Sequence, residues 1–255
     1  MNVYQALFYE TSRILIGPVF SRILHLKSEG SENVPAEGGA LIVSNHRNPV
    51  LDPFSVALSV PNRQINFVAL DVAFVFPVVK QLFGAWGAFP LAVFGGKKSQ
   101  EGLEHAIELL KEGELVGIFP EGVHTLARPH AVSKIMTFRT GFARIALTAR
   151  VPIIPAAVIA YGERNLPKIP PSLVKPFFDH PDFQQGLQWI YYKRVHVRIG
   201  KPIDISGFYG EEITKKLIDQ LAGKVRRIVT KLYNGEDLDR FLTGEKPFDI
   251  VTDRV

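Results

Sequence analysis

The stretch Gly39-Ala40-Leu41-Ile42-Val43-Ser44-Asn45-His46-Arg47-Asn48-Pro49-Val50-Leu51-Asp52-Pro53 runs from an apolar segment into a polar turn. Gly39 to Val43 is a short continuous run of the kind that makes a strand buried on both faces of an α/β sheet. His46 then falls just past the strand's carboxyl end, where open α/β sheets place their ligands. The next helix is not expected to begin at Pro49, because Pro53 would then lie in its interior, without an N–H and against the preceding turn. Asp52 as N-cap and Pro53 as first helical residue fit better. Such a turn folds the Asp52 carboxylate back to the His46 ring. One oxygen is expected to hold the imidazole N–H and the other to cap the helix, leaving the second ring nitrogen to take a proton from a hydroxyl. A histidine and an aspartate this close also occur by chance, so the pair needs a second signal.

Working outward, Phe54 to Val60 continues the helix, Ile65 to Leu70 reads as a second core strand and Leu115 to Phe119 as a third. Leu103, Ile107 and Leu110 recur at helical spacing over Ser99 to Glu112, with Ser99 placed to cap and Gly113 to stop that helix. Val151 to Val158 is a strand whose prolines point to a start, a bulge or an edge rather than a central ladder. Val195, Val197 and Ile199 alternate with His196 and Arg198 as a half-buried last strand. Ile213, Leu217, Leu221, Val225, Ile228 and Leu232 then form one apolar stripe of a basic closing helix. The expected class is α/β: a single-domain mixed sheet flanked by helices.

With 255 residues and 46% hydrophobic content, one large domain has ample core. The absence of cysteine excludes disulfides, thiolate zinc sites and a cysteine nucleophile. A formal charge of +5 and a pI near 9.3 favour acidic partners such as anionic lipid, phosphate or an acidic carrier protein. Nucleic acid is disfavoured, since no long basic run, zinc-finger spacing or base-stacking aromatic repeat is present. In residues 1–24, Glu10, Arg13 and Arg22 interrupt the apolar residues and Gly17-Pro18 breaks the segment. It falls short of the roughly 20 apolar residues a spanning helix needs, and it lacks the basic start and cleavage site of a secretory signal. Two short amphipathic helices are expected, lying at a membrane interface or packed on the domain. Residues 25–233 form the domain proper and 234–255 a polar tail.

The second signal is Phe119-Pro120-Glu121-Gly122. His46 with Asp52, then Gly84-Ala85-Trp86-Gly87-Ala88-Phe89-Pro90-Leu91, then this tetrapeptide, then Val151-Pro152-Ile153-Ile154-Pro155, come in an order that resembles the glycerolipid acyltransferase superfamily, which includes the 1-acylglycerol-3-phosphate acyltransferases. The resemblance runs from about Gly30 to Ile205, closing with Gly200-Lys201-Pro202-Ile203. It implies transfer of a fatty acyl group from acyl-CoA or acyl carrier protein to the free hydroxyl of 1-acylglycerol 3-phosphate, giving phosphatidic acid in phospholipid biosynthesis. His46 would be the general base and Asp52 its orienter, with no acyl-enzyme, no cofactor and no metal. A membrane-associated protein on the cytoplasmic face is implied. Val72 to Phe83 would be a buried helix or part of an acyl-chain wall, and residues 162–190 an irregular lid, a membrane-touching loop or ordinary surface.

The departures from the family pattern bear on the acceptor. The second block normally closes with an arginine that helps bind the acceptor's phosphate; here Ala92-Val93-Phe94-Gly95-Gly96-Lys97-Lys98 follows, so Lys97 or Lys98 is the candidate cation, or a solvated pair. After Gly122 the family's usual adjacent arginine is replaced by Val123-His124-Thr125-Leu126-Ala127-Arg128. Arg128 and Arg139 become the better phosphate candidates, Arg139 standing near the start of a helix that runs to about Arg150. Glu121 orients the acceptor glycerol or braces its loop, Gly122 admits close backbone approach, and N–H groups around Gly122 or near Asn45 are candidate oxyanion donors. His124 is a second proton carrier or a surface histidine. Five residues separate His46 from Asp52, one more than the commonest family spacing. That keeps open glycerol 3-phosphate or another lysophospholipid as acceptor, a transacylase, or a catalytically silent membrane lipid-binding protein.

Overall fold

The computed structural model describes residues 3–71, 74, 77–91, 97–122, 135–176 and 184–236. The apolar runs become strands β1 (Lys27–Glu29), β2 (Ala40–Ser44), β3 (Ile65–Leu70), β4 (Phe89–Leu91), β5 (Leu115–Ile118), β6 (Ile153–Tyr161) and β9 (Arg194–Ile199), which form one seven-stranded sheet in the order β1-β9-β6-β2-β5-β3-β4. β2 lies parallel to both its neighbours, β5 and β6, while β9 runs antiparallel to β6, so the sheet is mixed. β7 (Arg164–Asn165) and β8 (Ile190–Tyr191) pair outside it. The described helices are α1 (Val3–Ile23), α2 (Leu51–Leu58), α3 (Pro77–Ala85), α4 (Lys97–Lys111), α5 (Gly141–Ala149), the single turn α6 (Pro171–Val174) and α7 (Lys215–Asn234).

The two-residue period of β2 sorts its side chains between two cores. Leu41 and Val43 meet Ala106 and Leu110 of α4, Phe142 and Ile145 of α5 and Leu221, Val225 and Ile228 of α7. Ala40 and Ile42 face the other way, onto Leu24 and onto Val56 and Ala57 of α2. All five β2 residues are buried, and the result is a three-layer α/β/α sandwich. α7 is secured at its start by Thr214, whose side chain accepts from Leu217 N at 3.2 Å, and at its end by Gly235 at φ 76°.

Two local expectations are corrected. β6 is an interior strand, nine residues long, not an edge. Its Pro155 is tolerated because the residue's carbonyl, and hence its nitrogen, faces the β9 side at a point where β9 has already ended at Ile199; Gly200 N donates to that carbonyl at 2.8 Å. Residues 3–23 form one helix that runs through Pro18 rather than two separated at Gly17. Packing outweighs the local cost of the proline: Gly17 lets Leu58 of α2 approach to 2.9 Å of where a Cβ would stand, Tyr9 is 1% exposed, and Tyr9, Trp86, Phe54 and Phe20 form a chain of ring contacts. The helix is not amphipathic in the ordinary sense, since Leu7, Ile14, Leu15, Ile16, Val19 and Ile23 stay exposed on its outer side. Of Val72 to Phe83, the part from Pro77 is helical; the tail beyond Glu236 lies outside the described residues.

Candidate active site

The site grows from the carboxyl ends of the adjacent strands β2 and β5. One residue past β2, the Asn45 amide donates to Val158 O at 2.9 Å and accepts from Val158 N at 2.8 Å. This side chain imitates a further rung of the β2–β6 ladder, and at 2% exposure it fixes where the chain leaves the sheet. The next residue, His46, therefore starts from a fixed point. Its backbone N–H donates to Glu121 Oε1 at 2.9 Å.

From His46 the chain turns tightly. Asn48 Oδ1 accepts from Val50 N and Leu51 N at 2.9 and 2.8 Å, opening α2 at Leu51. Asp52 is thus inside the helix rather than its cap, and Pro53 falls in the first turn, where a missing N–H is harmless. The Asp52 carboxylate is used differently from the expected division of labour. Oδ2 alone takes the backbone N–H of Arg47 at 2.6 Å, that of Asn48 at 2.7 Å and the His46 ring Nδ1 at 3.1 Å. Oδ1 has no partner of good geometry among the described residues. With Asp52 ionised, Oδ2 accepts from the ring as it does from the two backbone N–H groups, which puts a ring proton on Nδ1; in the neutral imidazole Nε2 then carries the lone pair. The His46 ring stacks on Phe119, centroids 4.3 Å apart, and Phe119 stacks on Phe67 in turn. His46 is 8% exposed.

Phe119-Pro120-Glu121-Gly122 leaves β5 beside this turn. Both Glu121 oxygens are engaged by backbone: Oε1 by His46 N, Oε2 by Met136 N at 2.9 Å. The Met136 segment is also held by Arg226 of α7, whose guanidinium donates to Met136 O at 2.7 Å and Ile135 O at 2.9 Å. Burial pushes the Glu121 carboxyl above its ordinary range, opposed by the N–H groups of Met136 and His46. Glu121 is a brace between two loops. Gly122 adopts φ +70°, and a Cβ there would come 3.0 Å from Arg139 Nε. Arg139 also donates its backbone N–H to Pro120 O at 2.8 Å. The exposed Arg139 side chain therefore lies over the Glu121–Gly122 turn, one loop from His46, immediately before Thr140 and α5.

The structure thus brings together His46, Asp52, Asn45, Glu121, Gly122 and Arg139. Lys97 and Lys98 open α4, and nothing of their side chains is described; Arg128, His124 and the segment 92–96 lie outside the described residues. Sequence reasoning missed Asn48, although an asparagine before a proline is a turn signal, and it missed Phe119 as the surface that the imidazole lies on. It also missed the ion pair of Arg47 with Glu163 at 2.6 Å, which ties the start of the 162–192 excursion to the turn. Among the described residues no group of three histidine or acidic side chains is placed to hold a metal.

A family model described as Acyltransferase matches residues 25–159, the segment that carries both the His46–Asp52 turn and the Glu121 loop. The chain is 30% identical over 132 residues to a 1-acyl-sn-glycerol-3-phosphate acyltransferase of Bacillus subtilis, which covers 52% of this chain and 61% of that protein. It is 27% identical over 169 residues to a chloroplast 1-acyl-sn-glycerol-3-phosphate acyltransferase of Arabidopsis thaliana, covering 66% of this chain and 43% of that one. The matches therefore span less than two thirds of these relatives. The crystal structure of the 1-acyl-sn-glycerophosphate acyltransferase PlsC from Thermotoga maritima superposes with a TM-score of 0.58 at 20% identity, over 93% of this chain and 83% of that one, and has the same fold.

Proposed function

The chain belongs to the Acyltransferase family, and on that ground we propose that it moves a fatty acyl group from a thioester, acyl-CoA or acyl carrier protein, to the free hydroxyl of 1-acylglycerol 3-phosphate. The observation that carries this reading is the His46 Nδ1–Asp52 Oδ2 bond of 3.1 Å at the carboxyl end of a central strand, with Nε2 left as the basic atom. As the acceptor oxygen attacks the thioester carbonyl, Nε2 takes its proton. The tetrahedral oxyanion then collapses, the C–S bond breaks, and the departing thiolate recovers the proton from the imidazolium that Asp52 has stabilised. The products are phosphatidic acid and free thiol, with no acyl-enzyme. A placed base contributes about 10²- to 10⁴-fold, and holding two substrates in line supplies much of the remainder.

Arg139 is the proposed phosphate cation, supported by its place over Gly122; Lys97, Lys98 and Arg128 remain candidates for the same charge. Backbone N–H groups about Gly122 are proposed as the oxyanion donors. The exposed apolar side of α1 supports association with a membrane interface, and the cytoplasmic face is proposed from the family alone; among the described residues no helix is long and apolar enough to cross a membrane. The missing arginine after Gly122 favours, as a second reading, a different acceptor such as glycerol 3-phosphate or another lysophospholipid.

The deciding experiment follows thiol release from an acyl thioester with lysophosphatidic acid as acceptor, in wild type and His46→Ala. The expected result is loss of turnover by about 10³-fold or more with the urea midpoint preserved. Full turnover in the variant removes His46 from the chemistry; no thiol release by the wild type with any glycerolipid acceptor makes the protein a silent lipid binder.

A further inference from the structure

Tyr192 follows β8, beyond the segment matched to the family, and the chemistry above does not use it. Its side chain is 0% exposed, and a phenol buried so completely ordinarily has a hydrogen-bond partner. Its hydroxyl has none of good geometry among the described residues, and the same holds for Oδ1 of Asp52, a residue 1% exposed. The two belong to one cluster. Burial is the first reason the phenol resists ionisation, and the Asp52 carboxylate, close enough to bond the hydroxyl, is the second. The strand that precedes Tyr192 is pinned to the same turn: Asn48 Nδ2 donates to Ile190 O, and Arg47 holds Glu163. A buried donor without an acceptor and a buried acceptor without a donor therefore belong to residues that interact with each other at the His46–Asp52 turn.

We propose that Tyr192 is a positioning residue, whose hydroxyl donates to Asp52 Oδ1 and so completes a chain Tyr192–Asp52–His46. Oδ2 already carries three N–H groups, all from one side of the carboxylate. A bond at Oδ1 fixes the carboxylate plane, which keeps Oδ2 aimed at Nδ1 and the imidazole aimed at the substrate. It also spreads the negative charge over both oxygens, so that the proton taken up at Nε2 leaves the ring as an imidazolium rather than shifting Nδ1–H onto the acid. Tyr192 touches no reacting atom; it acts through Asp52. The kinetic consequence rests on the acyl-transfer reading, whereas the hydrogen bond does not.

The test uses Tyr192→Phe in the full chain, which deletes the hydroxyl and keeps the ring. The first readout needs no substrate: the low-field proton resonance of the His46 Nδ1–H, identified by its absence from His46→Gln. We expect it displaced in Tyr192→Phe. A second variant with 3-fluorotyrosine at position 192, a stronger donor of nearly the same size, should displace it the opposite way. The second readout is kinetic. Tyr192→Phe should lower kcat about tenfold, the equivalent of one lost orienting hydrogen bond, with both KM values kept, and should add nothing in an Asp52→Asn background. A resonance unmoved by either replacement, or an unchanged kcat in an active enzyme, overturns the proposal. A displaced resonance in a protein that transfers no acyl group upholds the chain of bonds while the acyl-transfer reading fails.

Discussion

Replacing Glu121 by glutamine separates the two roles that a carboxylate at this point of the site can have. The side chain is 3% exposed and each oxygen takes one backbone N–H, from His46 and from Met136, at 2.9 Å. Glutamine keeps one acceptor, now uncharged, and turns an amide NH₂ on the other N–H. One charge-assisted bond is lost and one buried donor orphaned, which costs about 2–4 kcal/mol. Against this, glutamine escapes the burial penalty that pushes the carboxyl of Glu121 upward, so the lower half of that range, about 2–3 kcal/mol, is the expected loss. The orphaned N–H belongs to His46, the proposed base, or to the segment that precedes Arg139. A displacement of well under 1 Å there should cut kcat about 10- to 100-fold, whereas the acceptor KM stays within about twofold because the carboxylate does not touch the acceptor. Urea unfolding and thiol-release kinetics on the same preparation measure both. Unchanged stability together with a tenfold rise in acceptor KM would refute the brace and make Glu121 a substrate ligand.

Arg139→Ala should leave stability within about 0.5 kcal/mol, since the side chain is exposed, yet raise the KM for lysophosphatidic acid about tenfold or more. Turnover of an uncharged monoacylglycerol should not change; an equal loss on both acceptors shows that Arg139 does not read the phosphate. A pH-dependent stability change is expected at His196, on β9, where burial holds the imidazole below its ordinary 6.5, outweighing the Glu29 carboxylate 3.2 Å away. With the folded value the lower one, the unfolded chain binds the extra proton first as pH drops below about 6.5, so this histidine's share of stability is intact above that point and lost as pH falls through the folded value. Wild type should therefore lose more stability than His196→Gln between about pH 7 and 5 in urea titrations; parallel curves contradict the assignment.

What was readable in the sequence is what is local. β3 coincides with its apolar run, β2 is shifted from its run by one residue and β5 is one residue shorter than its own, and the His46–Asp52 contact follows from a turn too short to place the two far apart. The misreadings each depend on a partner distant in the chain. Pro155 suggested an edge because its nitrogen cannot serve a ladder; that it needs no ladder there depends on where β9 stops, some forty residues on. Gly17-Pro18 suggested a break because the sequence does not show Leu58 waiting for the glycine. Asp52 suggests an N-cap because it stands directly before a proline, whereas it is the side-chain oxygen of Asn48 that takes the N–H groups of Val50 and Leu51 at the start of α2. Tyr192 carried no signal at all: one tyrosine among seven in the chain becomes distinct only when its hydroxyl is found beside an unpaired carboxylate oxygen.

The position of Arg139 shows how a site can keep its constellation while its residues change order. Two hydrogen bonds tie the segment before α5 to the Glu121 turn: Arg139 N to Pro120 O, Met136 N to Glu121 Oε2. The Arg139 guanidinium consequently reaches this turn, and Gly122, at φ +70° and with no side chain, leaves the space in which it lies. On the proposed reading, Arg139 takes the place of the family's adjacent arginine. The exchange has a mechanical consequence. On the proposed reading, Glu121 carries the backbone of the base on one oxygen and the segment leading to Arg139 on the other, so the imidazole and the phosphate cation are registered to each other through a single carboxylate.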